Sequence, residues 1–167
     1  MKKLFDLIFK ELYKLNLFKI VIDRIIINIF NNTFVIYHNS TKILLHIPNK
    51  LSYWRAKTYS TKEPETLEWI DDMQHGKTLW DIGANIGLYS IYGALKKGLK
   101  VYSFEPSVFN LELLARNIYT NKVVDNCCIV PLALNNKISS SNLNMTSTEW
   151  GGLYLHLIQI LDGMVIQ

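Results

Sequence analysis

Apolar residues recur from Leu4 to Phe30 at the spacing of an α-helix. Phe5, Ile8, Phe9, Leu12 and Leu15 share a face, with Lys10 and Lys14 opposite. One or two amphipathic helices are predicted there. From Thr33 to Tyr37 the residues turn β-branched and aromatic, His38-Asn39-Ser40 reads as a turn, and Lys42 to Ile47 forms a second short run. That is the pattern of a β-hairpin. Leu51 to Ser60 shows no period and reads as irregular. Glu63-Pro64-Glu65 then opens a helix, because proline is tolerated in a first turn and acids there complement the helix dipole. Leu67, Ile70 and Met73 are its expected buried face, and Gly76 its end.

Beyond Gly76 the pattern alternates. Thr78 to Ile82 is a strand carrying an acid near its end, and Gly83 to Gly87 a glycine-bearing turn. Leu88 to Lys97 is a helix stopped by Gly98, and Lys100 to Glu105 a second strand ending in an acid. Ser107 is a favourable cap for a helix from Val108 to Tyr119, with Val108, Leu111, Leu114, Ala115 and Ile118 as the expected inner stripe. Cys127 to Leu134 is a third strand. The order βαβαβ predicts an α/β fold with a parallel sheet.

Composition narrows the function classes. With 167 residues, 49% hydrophobic and 19% charged, the chain has the make-up of one globular domain. The net charge of +4 comes without a basic run, so no nucleic-acid partner is expected. The adjacent Cys127 and Cys128 point to opposite faces of a strand and are expected to be two buried free thiols. The four histidines lack metal-ligand spacing, and no metal site is expected. Charges interrupt the apolar N-terminus too often for a spanning helix of ~20 residues, and no cleavage-site pattern follows it, so the expected location is the cytoplasm. A helix lying on the domain is the first reading of that segment. The second is a helix on an acidic membrane surface, with Lys2, Lys3, Lys10, Lys14 and Lys19 facing the lipid.

The chemistry is carried by Asp81-x-Gly83-x-Asn85-x-Gly87, which follows a strand and opens a helix, the context of a nucleotide-binding loop. Its spacing is not the Gly-x-Gly-x-x-Gly that admits a pyrophosphate. An acid at the strand end would repel phosphate, and it suits a cationic group such as the amino end of a methionyl moiety. Gly83 allows a turn and a close approach, and Asn85 tolerates left-handed geometry. Gly87 lets the helix pack tightly on the strand, and the helix N-terminus offers N–H groups to a carboxylate. Glu105, at the end of the next strand, is placed to accept hydrogen bonds from the ribose hydroxyls of an adenosine.

These residues carry a resemblance. Trp80-Asp-Ile-Gly-Ala-Asn-Ile-Gly-Leu-Tyr-Ser90, Val101-Tyr-Ser-Phe-Glu-Pro-Ser107 and Val130-Pro-Leu-Ala-Leu134 resemble the cofactor-binding segments of FkbM-type methyltransferases, as does the lead-in Lys62-Glu-Pro-Glu-Thr66 with Trp69-Ile-Asp71. The resemblance covers roughly Phe34 to Gly152. It implies a Rossmann-like class I methyltransferase fold, S-adenosylmethionine as cofactor, and O-methylation of a sugar or of another small or polymeric acceptor. By that resemblance Asp81, Gly83, Asn85 and Gly87 hold the methionine end, Glu105 holds the ribose, Ala133 and Leu134 lie near the adenine, and Ala84 and Pro106 are further cofactor-binding residues. No catalytic residue is identified.

The family's next strand, with its acid, and those after it do not appear, so an incomplete parallel sheet is expected. The tail 153–167 reads as foreign. With one choice of codons its shifted frame resembles the family's continuation after Trp-Gly-Gly, which suggests a single-base deletion near the Gly152 codon and a truncated member lacking the acceptor pocket. The expected organisation is an N-terminal helical segment, 1–32, a hairpin and lead-in helix, 33–76, the first half of the methyltransferase domain, 77–152, and the aberrant tail. Two rival readings remain. One is a non-catalytic cofactor-binding or protein-interaction module, pairing with another protein through its open sheet edge, with an oligomer possible. The other is a nicotinamide-dependent oxidoreductase, which Asp81 and the loop spacing oppose. Trp54, Arg55 and Tyr59 could line an acceptor cleft, with packing the favoured reading, and Trp150 is read as a packing residue.

Overall fold

The structure, a computed structural model, describes residues 2–31, 33–135, 141–145, 147–152 and 155–159. It divides into two compact units, Met1–Thr33 and Phe34–Gln167. The first holds two helices, α1 (Lys2–Tyr13) and α2 (Asn16–Asn31), joined at Lys14 and Leu15. Phe5, Phe9 and Tyr13 stack along α1 at centroid spacings of 6.4 and 6.1 Å. Phe18 of α2 meets Phe9 edge-on at 5.6 Å, and the Tyr13 hydroxyl donates to Asp23 Oδ1 at 3.3 Å.

The second unit opens with the predicted hairpin, β1 (Thr33–His38) and β2 (Thr41–His46). Asn39 and Ser40 both have positive φ, 42° and 64°, the geometry whose twist matches a two-residue hairpin loop. The stretch expected to be irregular is helical instead, as α3 (Lys50–Lys57) and α4 (Tyr59–Lys62). Asn49 and Ser52 form a capping box at the start of α3. The buried positions Ser52, Arg55, Ala56 and Tyr59 keep helical spacing, but two of them are polar. A hydrophobic pattern therefore could not reveal the helix. The lead-in helix α5 (Pro64–Asp72) buries Leu67 and Ile70 and ends at Asp72, before Gly76.

Next come β3 (Thr78–Ile82), α6 (Leu88–Lys97), β4 (Lys100–Phe104), α7 (Val108–Thr120) and β5 (Cys127–Val130). The strands form a parallel sheet in the order β3-β4-β5, with Asp81 beside Ser103 and Ser103 beside Ile129. This is the Rossmann-like α/β arrangement. β5 is shorter than predicted and ends before Pro131, which has no N–H to give to a ladder. Cys127 is half-buried and Cys128 exposed, so only one of the two thiols expected inside is there. Burial pushes the Cys127 thiol up to about 12.

Leu79, Val101 and Ser103 line the sheet face that α6 covers, and all are buried. At Gly93 an added Cβ would lie 3.2 Å from Leu79 Cδ2, so α6 approaches the strand closely there. The opposite face presents Trp80, Ile82 and Tyr102, with Trp80 59% exposed. Parallel sheets are ordinarily covered on both faces, and among the described residues this one is covered on one. β6 (Ser141–Met145) and β7 (Leu155–Gln159) pair antiparallel, so part of the segment read as a foreign tail is a strand. The rest of the tail, and Ser139 and Ser140 read as loop, lie outside the described residues.

The inner face of α7 is also rotated from the predicted stripe. Its buried residues are Asn110, Leu113, Leu114, Asn117 and Ile118, whereas Val108 and Ala115 are exposed. Asparagines account for the difference. Asn117 Oδ1 accepts from the His46 N–H at 2.8 Å, and Asn121 both accepts from Leu44 N–H and donates to its carbonyl. The two side chains, one turn apart, occupy the free edge of β2 with specific partners.

Candidate functional site

The turn after β3 is shaped by three left-handed residues, Gly83 (φ 81°), Asn85 (φ 52°) and Gly87 (φ 89°). Open space surrounds the position of a Cβ on Gly83, whereas one on Gly87 would come within 2.5 Å of Leu114 Cδ1. The tight neighbour of Gly87 is thus α7 and not the strand expected from the sequence. The loop's own amides are occupied. Gly83 and Ala84 N–H donate to the Phe104 carbonyl, Asn85 N–H to Glu105, Ile86 N–H to the Asn85 side chain, and Gly87 N–H to the Ala84 carbonyl. The Asn85 side chain also donates to the Gly152 carbonyl at 3.1 Å.

The two acids sit at the same end of adjacent parallel strands. Asp81 accepts from the Ser90 hydroxyl at 2.5 Å and from the Ser90 backbone, which places its carboxylate at the N-terminus of α6, where the helix dipole favours negative charge. Ser90 Oγ in turn lies 2.7 Å from Ser103 Oγ. Burial raises the Asp81 carboxyl above its ordinary range, Ser90 opposes the rise, and Glu105 and Glu63 add to it. Glu105 is 2% exposed, and its two oxygens accept from Asn85 N–H at 2.8 Å and Ser107 N–H at 2.9 Å. It joins the loop to the start of α7.

The Asp81 shift sets a pH dependence. A raised folded value means that the protonated carboxyl is favoured in the fold, so its contribution is present at low pH and is lost as pH rises from the ordinary Asp value through the raised one. Asp81→Asn keeps an acceptor for Ser90 without the charge. The melting temperature of the variant should exceed that of the wild type by a margin that widens from pH 4 towards neutrality, read by circular dichroism. A margin that does not change with pH would exclude a raised Asp81.

A cleft opens beside the loop. Arg55, Tyr59, Lys62 and Glu63 form one wall, and residues 83–86 with Leu88 and Tyr89 form the other. Arg55 and Tyr59, read from the sequence chiefly as packing residues, both line it, while Trp54 stays at the surface. Burial lowers the Arg55 value, and Glu63 and Glu105 oppose that. Lys62 and the Tyr89 hydroxyl bond Glu63, whose carboxyl is held below its usual range chiefly by Lys62. Burial raises the Tyr59 phenol, and its hydroxyl is a buried polar group with no hydrogen-bond partner among the described residues.

One contributor was not legible as such. The backbone of Trp150-Gly151-Gly152 is held by polar side chains from four places in the chain. Asn49 donates to the Trp150 carbonyl at 3.0 Å and Arg55 Nε to the Gly151 carbonyl at 2.7 Å. Asn85 and Asn110 both donate to the Gly152 carbonyl, and Asn110 Oδ1 accepts from Gly151 N–H at 2.8 Å. Gly151 has φ 84°, and a Cβ there would sit 3.3 Å from Arg55 Nε. The segment ties α3, the loop and α7 together, and it does so through backbone carbonyls, which a sequence motif does not display. Only the Trp-Gly-Gly string itself signalled it.

Of the sequence candidates, Asp81, Gly83, Ala84, Asn85, Gly87 and Glu105 are gathered around the loop. Pro106 follows directly, half-buried. Ala133 and Leu134 come after β5, at the same end of the sheet, half-buried and exposed. Among the described residues no group of three or more His, Cys, Asp or Glu side chains is placed to hold a metal ion. No helix among them is long and apolar enough to cross a membrane.

No protein-family model matches the chain, and no curated protein does. Among solved structures it is similar to TYW2 from M. jannaschii in complex with AdoMet, at 20% identity and a TM-score of 0.44, over 61% of this chain and 43% of that one. It is similar to P. horikoshii TYW2 in complex with MeSAdo, at 19% identity and a TM-score of 0.43, over 62% and 37%. A third is Trm5b from Pyrococcus abyssi, at 24% identity and a TM-score of 0.40, over 59% and 28%. The chain therefore spans less than half the length of each of these proteins.

Proposed function

We propose that the chain is the cofactor-binding part of an S-adenosylmethionine-dependent methyltransferase, of the FkbM type that its motifs resemble, acting on a hydroxyl of a sugar or similar acceptor. The observation that carries the reading is the rim of the sheet. Asp81 and Glu105 stand at the ends of adjacent parallel strands, with a loop of three left-handed residues between them. A pyrophosphate would meet two carboxylates there, and a sulfonium amino acid would meet favourable charge.

The cleft fits the methionyl half. Space is open beside Gly83, the Tyr59 hydroxyl is buried without a partner, and Arg55 lies in the wall. Because the amides of residues 83–87 are occupied within the loop, a carboxylate would meet those of Leu88 and Tyr89 at the open end of α6, together with the Arg55 guanidinium. Asp81 favours the ligand's ammonium group. Glu105 would take ribose hydroxyls on the second lone pair of each oxygen while keeping its hold on the loop. Ala133 and Leu134 offer apolar surface to the adenine. Bound there, S-adenosylmethionine would supply an electrophilic methyl group, and the residues named serve to position it.

Titration calorimetry of the full chain with S-adenosylmethionine and, separately, with NAD tests the reading. Heat of binding with the first and none with the second is expected. Binding of NAD alone, or of neither, would overturn it, and the latter outcome with a soluble oligomer would favour the interaction module.

A further inference from the structure

Most of the chain's net positive charge lies in its N-terminal unit. Met1–Thr33 carries six basic and three acidic residues, a net of +3 out of the chain's +4. Two of those acids are engaged, Glu11 by Lys14 and Asp23 by the Tyr13 hydroxyl. Among the described residues Lys2, Lys3, Lys10, Lys19 and Arg24 form no ion pair.

Among its described residues the same unit also presents an exposed apolar surface. On α1 Leu4, Phe5, Ile8, Phe9 and Leu12 repeat at spacings of three and four and share a face, with Lys3 and Lys10 on the other. All five are exposed, Phe5 by 68%. On α2 Leu17, Ile20, Val21, Ile25, Ile26 and Ile27 are exposed as well, and they extend around the helix. A contiguous apolar surface of this kind marks a binding face.

We propose that this unit binds the surface of an anionic lipid bilayer. The apolar face of α1 enters the acyl boundary, and the lysines, on long apolar stems, reach the lipid phosphates and carboxylates. Charge selects this occupant. A second copy of the unit would set +3 against +3, whereas an anionic leaflet complements it. The helices lie on the bilayer and do not span it. Twelve residues of α1 reach about 18 Å, against a hydrocarbon core of about 30 Å.

Co-sedimentation of the full chain with vesicles of phosphatidylcholine, alone or mixed with phosphatidylserine, tests this. Binding is expected to the mixed vesicles, little to the neutral ones, and salt should weaken it. Reversing two unpaired charges on the polar face, Lys3→Glu with Lys10→Glu, should weaken binding roughly tenfold or more without touching an apolar contact. Ile8→Asp with Leu12→Asp should abolish it. The proposal is overturned by equal binding to both vesicle types, by no binding to either, or by indifference to the charge reversal. A dimer in lipid-free ultracentrifugation that the Ile8 and Leu12 changes dissociate would assign the face to a second copy instead.

Discussion

Glu105→Ala should lower the stability of the chain by about 3–5 kcal/mol, because it leaves two buried backbone donors without a charged acceptor. Those donors, on Asn85 and Ser107, belong to the loop and to the start of α7. The loss should therefore appear as early melting of the loop as well as a lower urea midpoint, and S-adenosylmethionine binding should fall with it. Glu105→Gln retains one acceptor oxygen and should recover part of both. Hydrogen exchange at the amides of 83–87 with calorimetry on the same variants separates the roles. Unchanged protection in Glu105→Ala would show that this carboxylate does not organise the loop. Unchanged affinity would remove it from the cofactor site.

Asn117→Ala is the second large effect, expected at about 2–5 kcal/mol from two buried polar groups left unpaired. The side chain is fully buried. It accepts from His46 N–H on β2 and donates to the Ile86 carbonyl in the loop at 2.9 Å. One amide thus joins hairpin, helix and loop. Asn117→Asp keeps the acceptor for His46 but loses the donor for Ile86 and buries a charge, so it should destabilise at least as much at neutral pH. Urea denaturation of both variants measures this. A change below about 0.5 kcal/mol, the range of ordinary surface substitutions, would mean that the two bonds do not contribute.

The parts of this fold that were legible have local causes. The boundaries of α6 follow from Gly87 and Gly98, whose left-handed backbone marks a helix start and stop within a residue or two. The hairpin turn follows from Asn39-Ser40, and the strands β3 and β4 from alternation that places Leu79 and Val101 inside. The loop's backbone was legible for the same reason, since Gly83, Asn85 and Gly87, read as permissive, all have positive φ.

What escaped the hydrophobic pattern shares one property: the buried face is built from polar side chains. Helix α3 hides Ser52 and Arg55, and α7 hides Asn110 and Asn117, so apolar spacing either saw no helix or saw one turned the wrong way. An asparagine reads as a surface residue until its partners are known, and here those partners are backbone groups 31 to 71 residues distant.

The sequence by itself determined the alternation of strands and helices from β3 to β5, the two acids and the permissive bend, because each depends on backbone conformation within a few neighbours. Only the tertiary structure decided what those groups are doing. It turned Asp81 onto Ser90, closed Glu105 over the amides of Asn85 and Ser107, and brought Arg55 and Tyr59 to the cleft wall. The reason is physical: a buried polar group must find a partner, and in these elements the partners come from distant parts of the chain that only folding brings together.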